Sequence, residues 1–443
     1  MISVFQRKQS FVRLISYAFP NIIMMLVLSL YTIIDGIYIS RYIGTTALSA
    51  MNMLIPLLNT ELAISIMFAS GGSAIIARKL GENKEAEAVN DFSLIVIAVG
   101  VLSIVFAVTG SLFLRNIITM LGANEEQYEL SLEYGRILVF FSPFFFLQTL
   151  FQVIFVTAGK PKVGLFLTLM AGITNIILDY VFVAKLQLGL SGAALATGIG
   201  ACIPSLAGLF YFGVIRNNTL KLVKPYRNIP MLIKACYNGS SEMVTNFSNA
   251  ITTYLFNYSF LKYFGVDGVA SITIVLYYQF IFSAVYIGFS MGVAPIISYN
   301  FGSRDFPQLK RILLNSFLFL FVSALISYGG SRIIFVNTLK VFTQVGTQVF
   351  NITLEGFNIF AFSLFLMGFS IFASALFTAL SNGKASLVIS FSRTFLFLAS
   401  AIIIIPQLIG GQGLWLAVPV AEVLGIGVSG YILLLYRKKY HYF

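Results

Sequence analysis

Long apolar runs, separated by short polar segments, recur along the entire chain. A helix needs about 20 residues to cross about 30 Å of hydrocarbon, and each run has close to that length. Membrane barrels show short alternating strands instead, so the pattern predicts an all-α integral membrane protein. The twelve predicted transmembrane helices lie near residues 17–39, 47–76, 92–114, 134–157, 163–184, 191–215, 236–261, 269–299, 312–334, 353–380, 386–405 and 414–436.

The longest polar segment separates the spans into two groups of six that share a pattern of glycines. Gly71 and Gly292 lie 221 residues apart, and Gly159 and Gly383 lie 224 apart. Such ordered matches predict an internal repeat with two pseudo-symmetric six-helix lobes. Each half has an even number of spans, so both halves enter the membrane in the same sense, and the transport cavity is expected between the lobes. The predicted domains are an N-terminal lobe at 1–215, a cytoplasmic linker at 216–234 and a C-terminal lobe at 235–443.

Composition and charge narrow the class of protein further. The 443 residues are 58% hydrophobic and 10% charged, which leaves no polar stretch for a soluble domain. The net charge of +12 comes from Lys and Arg spread over many short loops, and their bias predicts that both termini are cytoplasmic. The basic residues form no single patch, so nucleic acid is not an expected partner. His441 is the only histidine and Cys202 and Cys236 are the only cysteines, which excludes a zinc site or a disulfide framework.

Polar side chains within the predicted spans mark a candidate site. Asn175 and Asp179 lie four residues apart in span five and so share one helix face, and Thr197 follows in span six. Asp35 adds a second carboxylate, in span one. An ionisable group at bilayer depth is costly and usually marks an ion or proton path, so these residues indicate a transporter driven by a cation. The alternative is that these side chains only form hydrogen bonds between helices. For Asn175 and Thr197 this alternative is as well supported as a role in ion binding.

Several motifs occur in a characteristic order along the chain. They are Pro20 fifteen residues before Asp35, Ile43-Gly44 with Ala47-Leu48, Ala77-Arg78-Lys79-Leu80-Gly81, Thr157-Ala158-Gly159-Lys160-Pro161, Gly189 to Thr197, Gly239-Ser240-Ser241-Glu242, and Pro295 to Gly302. Together they resemble the multidrug and toxic compound extrusion (MATE) transporters over essentially the whole chain. The second-half pattern is similar to the MepA-like bacterial branch of that family.

The resemblance implies an antiporter of the bacterial cytoplasmic membrane that exports cationic, amphipathic drugs in exchange for Na⁺ or H⁺. It implies a cation or proton site formed by Asp35, Asn175, Asp179 and Thr197, and a first helix that bends at Pro20. The expected partners are small amphipathic cations and the lipid bilayer, with a monomer as the functional unit. No cofactor beyond the coupling ion and no enzymatic activity are expected.

The chemistry of these residue types agrees with that implication. Carboxylate, amide and hydroxyl oxygens are the ligands a hard cation prefers. Two carboxylates close together in an apolar lobe cannot both stay charged without a counter-ion, so the pair takes up a proton or a cation. Arg393 and Glu422 are expected to form an internal ion pair in the second lobe. The candidates for a substrate cavity are Glu61, Gln148, Gln152, Glu242, Asn249, Tyr277, Tyr278 and Gln279.

Other functions remain open at this point. A flippase for a lipid-linked oligosaccharide or another amphiphile shares the two-lobe plan, but it should line its cavity with Arg and Lys to hold pyrophosphate, and embedded basic residues are almost absent. A membrane-embedded enzyme needs an intramembrane His, an acid–base pair near the surface or a metal motif. A channel is possible in principle, although a two-lobe repeat suits alternating access better.

Overall fold

The computed structural model describes residues 5–215 and 218–442, and within these ranges its regular structure is helical, with no strand. Residues 216 and 217 of the predicted linker lie outside the described residues. The α-helices are α1 (Phe11–Tyr42), α2 (Thr45–Met53), α3 (Ile55–Gly81), α4 (Glu85–Met120), α5 (Glu125–Thr157), α6 (Pro161–Asp179), α7 (Gly189–Val214), α8 (Ile229–Gly302), α9 (Phe306–Phe342), α10 (Gln348–Phe360), α11 (Phe362–Ala379), α12 (Gly383–Phe391), α13 (Leu398–Ile409) and α14 (Ala417–Tyr440). Short turns of π-helix follow α6 at Tyr180–Lys185 and α12 at Ser392–Phe397, and a 3₁₀ turn at Gly411–Leu416 precedes α14.

The number of membrane spans follows from the length and apolarity of these helices. Within the described residues, eleven helical segments are long and apolar enough to cross a membrane. One of them, α8, contains two spans, because the backbone at Gly265 leaves the helical region with φ 67° and ψ −159°. The break falls between predicted spans seven and eight, so the all-α, twelve-span membrane fold is confirmed.

The helices are longer than the sequence pattern predicts. The third span, predicted at 92–114, belongs to a helix that runs from Glu85 to Met120. Hydropathy marks only the apolar part of such a helix, whereas polar residues continue it at each end. Glu85 and Glu87 favour the first turn of α4 because acidic side chains interact well with a helix N-terminus. Asn124 begins α5 earlier than predicted through a capping box with Gln127.

Contacts divide the chain into two compact units. The first unit contains Ile23–Gly239, and the second contains Arg7–Ile22 together with the chain from Ser240 onward. These bounds differ from the predicted lobes at both starts. Residues 7–22, predicted in the N-terminal lobe, group with the second unit, and residues 235–239, predicted in the C-terminal lobe, group with the first. Helices α1 and α8 therefore each begin in one unit and continue in the other.

Close backbone contacts explain why the first turns of α1 belong to the second unit. The amide of Asn21 donates a 2.9 Å hydrogen bond to the carbonyl of Gly288. A Cβ atom added at Gly292 would lie 2.9 Å from the Cα of Ala18, and one added at Gly288 would lie 2.6 Å from the Cα of Ile22. Only glycine allows the two helices to approach so closely.

The first unit repeats this arrangement with the start of α8. A Cβ atom at Gly71 would lie 2.0 Å from the carbonyl oxygen of Ala235, and one at Gly239 would lie 1.9 Å from the carbonyl oxygen of Met67. Gly71 is the repeat partner of Gly292, 221 residues earlier in the chain. The same helix contact is thus made once in each unit.

We expect Gly239→Ala to lower the free energy of unfolding in detergent by about 1–3 kcal/mol, because the new methyl group forces α8 away from α3. Denaturant titration of the purified protein measures the change. Gly100→Ala in α4 is the matched control, since a Cβ atom there meets nothing within 4 Å. Equal stability of the two variants would show that the close contact of α3 with α8 contributes nothing.

Candidate cation-binding site

The four residues predicted to bind a cation all lie in the first unit, on three helices. Asp35 is on α1, Asn175 and Asp179 are on α6, and Thr197 is on α7. Asp35 is 6% exposed and Asp179 is fully buried. The carboxyl groups of Asp35 and Asp179 lie close enough to interact electrostatically. The amide of Asn175 donates a 3.3 Å hydrogen bond to the hydroxyl of Thr197.

Small residues and an irregular turn position these side chains. A Cβ atom at Gly200 of α7 would lie 3.2 Å from the carbonyl oxygen of Ala171 and 3.4 Å from the Cβ of Asn175, so glycine lets α7 pack directly on α6. Asp179 is the last residue of α6 before the chain enters the π-helical turn. Turns of this kind are rare and frequently occur at functional sites.

Several oxygen atoms at the site are buried and accept no hydrogen bond. They are Oδ1 of Asp35, Oδ1 and Oδ2 of Asp179, and Oδ1 of Asn175. The hydroxyl of Thr197 donates to the carbonyl of Ala193 at 3.0 Å and accepts from the amide of Asn175, so its oxygen has one lone pair left for a cation. Buried polar atoms normally have partners, and a set of unpartnered oxygens matches the ligand preference of a hard cation.

The two carboxyl groups impose a further requirement. Ionised carboxylates only accept hydrogen bonds, so two of them in contact need a proton or a cation between them. Among the ion pairs of the described residues, none involves Asp35 or Asp179. The arrangement therefore fits one added positive charge, supplied as H⁺ or as Na⁺.

Two tyrosines near this pair of carboxyl groups are not among the residues predicted from the sequence. Tyr31 lies next to Asp35 and contacts the side chain of Gln148, and the buried Tyr134 lies within electrostatic range of both carboxyl groups. Tyr31 is four residues before Asp35 on the same helix, and this spacing is a signal that identifies it. Tyr134 carries no such signal, because it stands on another helix.

A small cavity adjoins the amide–hydroxyl pair. Its volume is about 20 Å³, enough for about one water molecule or one small ion. Tyr31, Gln148, Asn175 and Thr197 line it, and the side-chain oxygen of Gln148 is buried without a hydrogen-bond partner. Gln148, predicted for the substrate cavity, thus lies beside the candidate cation site.

The other predicted cavity residues occupy varied surroundings. Glu61 is 4% exposed and accepts a 3.1 Å hydrogen bond from Ser142, and Gln152 donates to Thr168 at 3.4 Å. Both bonds connect helices within the first unit. Whether either residue contacts substrate stays a prediction.

In the second unit, Tyr278 packs edge-on against Phe335 and Phe357, which places it in an aromatic cluster. Tyr277 and Asn249 are exposed and Gln279 is half-buried. Their role in a substrate cavity is likewise a prediction.

The predicted ion pair of the second unit is confirmed. Arg393 donates a 2.8 Å hydrogen bond to Glu422, which is 4% exposed. Glu242, also predicted for the substrate cavity, lies within electrostatic range of Arg393. Gly425 makes room for the arginine, because a Cβ atom there would lie 3.0 Å from its Cγ.

Fold and site together define a multi-pass membrane transporter. A family model described as MatE matches the chain twice, at residues 20–181 and 242–403. The chain belongs to the MatE family, whose members are secondary transporters and not enzymes. The two matches begin 222 residues apart, which confirms the internal repeat predicted from the glycine spacing.

Individual relatives agree with this assignment. The chain is 26% identical over 316 residues to the multidrug export protein MepA of Staphylococcus saprophyticus, covering 70% of this chain and 68% of that protein. It is 25% identical over 362 residues to MepA of Staphylococcus aureus, covering 79% of each. The crystal structure of MATE in complex with MaL6 superposes with a TM-score of 0.93 at 20% identity, covering 99% of this chain and 98% of that one, which shows a shared fold.

We expect Arg393→Gln alone to destabilise the protein by about 3–5 kcal/mol, because it leaves the Glu422 carboxylate buried without a partner. Adding Glu422→Gln should recover part of that loss. Denaturant titration of both single variants and the double variant measures the coupling. Strictly additive losses would show that the two side chains do not act as a pair.

Proposed function

We propose that this protein is a cation-coupled antiporter that exports amphipathic, cationic drugs from the cytoplasm by alternating access. The observation that carries the proposal is the buried Asp35–Asp179 pair, whose oxygens face each other without a basic partner among the described residues. Such a pair exchanges one positive charge with its surroundings, which is what coupling to H⁺ or Na⁺ requires.

The cycle begins when a cation or proton enters from outside and offsets one of the two negative charges of the pair. The bound ion bridges the two carboxyl groups and removes their mutual repulsion, so α1 and α6 then settle closer together. Release of the ion to the cytoplasm restores the repulsion. Helix α1 thus has two arrangements, and their relative free energy depends on whether the ion is bound. An ion that binds one arrangement more tightly than the other shifts the conformational equilibrium toward it.

Pro20 supplies the flexible point for that movement. Proline has no N–H group, so the carbonyl of Ser16 lacks its helical hydrogen-bond donor and the helix is weakened there. Two residues later, between Ile22 and Ile23, α1 passes from the second unit to the first. A bend in α1 at this point changes the position of Asp35, while Ala18, which precedes the proline, keeps its contact with Gly292.

The substrate class rests on the relatives. Both MepA proteins are multidrug export proteins, and we extend that activity to this chain. The chain has 44 Phe and 22 Tyr residues, and aromatic faces hold lipophilic cations by stacking and cation–π attraction. We further propose cytoplasmic termini and a functional monomer. The relatives do not favour the flippase alternative.

We expect Asp35→Asn and Asp179→Asn each to reduce ion-driven efflux of an ethidium-like dye at least about 100-fold, since a neutral amide removes the charge that couples the ion to α1. Efflux from proteoliposomes, with sodium and pH gradients imposed separately, measures the effect and identifies the ion. Glu126→Gln, a change at an exposed carboxylate, is the control. Full coupled efflux in both aspartate variants would refute the proposed site.

Pro20→Ala should slow turnover while leaving the protein at least as stable, because alanine restores the helical hydrogen bond and stiffens α1. Initial efflux rates and unfolding midpoints, measured on the same preparation, separate the two effects. Unchanged turnover would contradict a bend at this position.

A further inference from the structure

The linker between α7 and α8 has an exposure pattern with a period of three. Lys221, Lys224 and Arg227 form one exposed row. Val223, Tyr226 and Ile229 form a second exposed row, with 37%, 57% and 53% of their surfaces accessible. The remaining positions, 222, 225 and 228, are half-buried. Three residues per turn is the repeat of an extended polyproline II chain, which directs each row to its own side.

The first unit holds this segment, residues 221–229, which we name the strap. The backbone N–H of Val223 donates to the hydroxyl of Ser93 at 2.9 Å, and that of Tyr226 donates to Oδ1 of Asn90 at 2.8 Å. The N–H of Leu222 donates to the carbonyl of Phe212 at 2.8 Å. These bonds attach one side of the strap to α4 and α7, so the basic and apolar rows point outward in a defined orientation.

The strap joins two membrane-spanning helices, since α7 ends at Val214 and α8 begins at Ile229. It therefore lies at the level where spans leave the bilayer. None of the ion pairs among the described residues involves Lys221, Lys224 or Arg227. Basic side chains next to exposed apolar and tyrosine side chains are the combination that binds the interface of an anionic membrane.

We propose that the strap is a binding site for anionic phospholipids, whose headgroup phosphates pair with the basic row while the apolar row inserts among the first acyl carbons. A charged soluble partner, such as RNA or an acidic protein, matches the basic row but leaves the apolar row in water. A neutral lipid matches only the apolar row. Anionic lipid alone satisfies both rows, and this inference does not depend on the transport activity.

A tryptophan in the strap reports lipid contact directly. The variant Tyr226→Trp adds a second tryptophan to Trp415, the only one in the native sequence. The fluorescence of Trp415 is measured on the unaltered protein and subtracted. The full-length protein is placed in nanodiscs that contain brominated phosphatidylglycerol or brominated phosphatidylcholine. We expect brominated phosphatidylglycerol to quench the new tryptophan at a lipid fraction at least about ten-fold lower than the fraction of brominated phosphatidylcholine that gives the same quenching. Added salt should reduce this difference.

Removing the basic row tests the charge. Lys221→Gln, Lys224→Gln and Arg227→Gln together, on the Tyr226→Trp background, should abolish the preference for phosphatidylglycerol. Arg437→Gln, Lys438→Gln and Lys439→Gln make the same change of charge at three exposed residues that end α14, and should leave the preference intact. A size-exclusion profile like that of the unaltered protein confirms folding in each case.

Each of the following outcomes would overturn the proposal. Equal quenching by the two lipids shows that the strap does not recognise charge. An equal loss of preference in the α14 variant shows a general effect of net charge. Displacement of phosphatidylglycerol by soluble RNA or polyglutamate shows a soluble partner instead. If the tryptophan variant fails to fold, mass spectrometry instead measures the phosphatidylglycerol that remains bound to the purified protein, with and without the three glutamine substitutions. Equal retention by the two proteins overturns the proposal.

Discussion

Two carboxyl groups that face each other inside apolar helices, with no basic partner among the described residues, are the constraint on which the account depends. Burying one unpaired carboxylate is costly, and burying two in contact is tolerable only when a positive charge lies between them. The contrast with the second unit is instructive. There, Glu422 has Arg393 as a permanent partner, so its charge is already balanced by the protein itself. In the proposed mechanism, an ion from solution takes that role in the first unit.

The internal repeat explains how the proposed bending of the first helix is compatible with a stable fold. In each unit, glycines bring a long helix against the first turns of a helix that continues in the other unit. Gly71 and Gly239 make this contact in one unit, and Gly288 and Gly292 make it in the other. These contacts hold α1 as far as Ile22, and from Ile23 onward the helix belongs to the other unit. The duplication therefore accounts for the glycine contact in each unit. Pro20 and the Asp35–Asp179 pair belong to the first half of the sequence alone.

Much of the fold follows from the sequence, because twelve apolar runs of suitable length allow few other structures. The spacing of Gly71 and Gly292 indicates the repeat, and the break at Gly265 falls in the gap between predicted spans seven and eight. The helix ends were predicted too short, since hydropathy does not register capping residues such as Asn124. The first turns of α1 were assigned to the N-terminal lobe, because chain order alone does not reveal which helix packs on Gly288 and Gly292.

The candidate site was only partly accessible to such reasoning. Isolated polar residues in apolar runs identified Asp35, Asn175 and Asp179. Tyr134 was missed because its relation to the carboxylates is purely three-dimensional. The sequence marks the strap only as part of a polar linker. Its two rows acquire a defined orientation through the contacts of Ser93 and Asn90, which the sequence does not reveal.

The most direct test of the central claim is a counterflow measurement in proteoliposomes. A steep gradient of a cationic dye is imposed with no ion gradient, and the movement of Na⁺ and H⁺ is followed at the same time. We expect dye moving in one direction to drive one of these cations in the opposite direction, and we expect Asp179→Asn to abolish the cation movement. Dye flux through the unaltered protein with neither cation moving would contradict it.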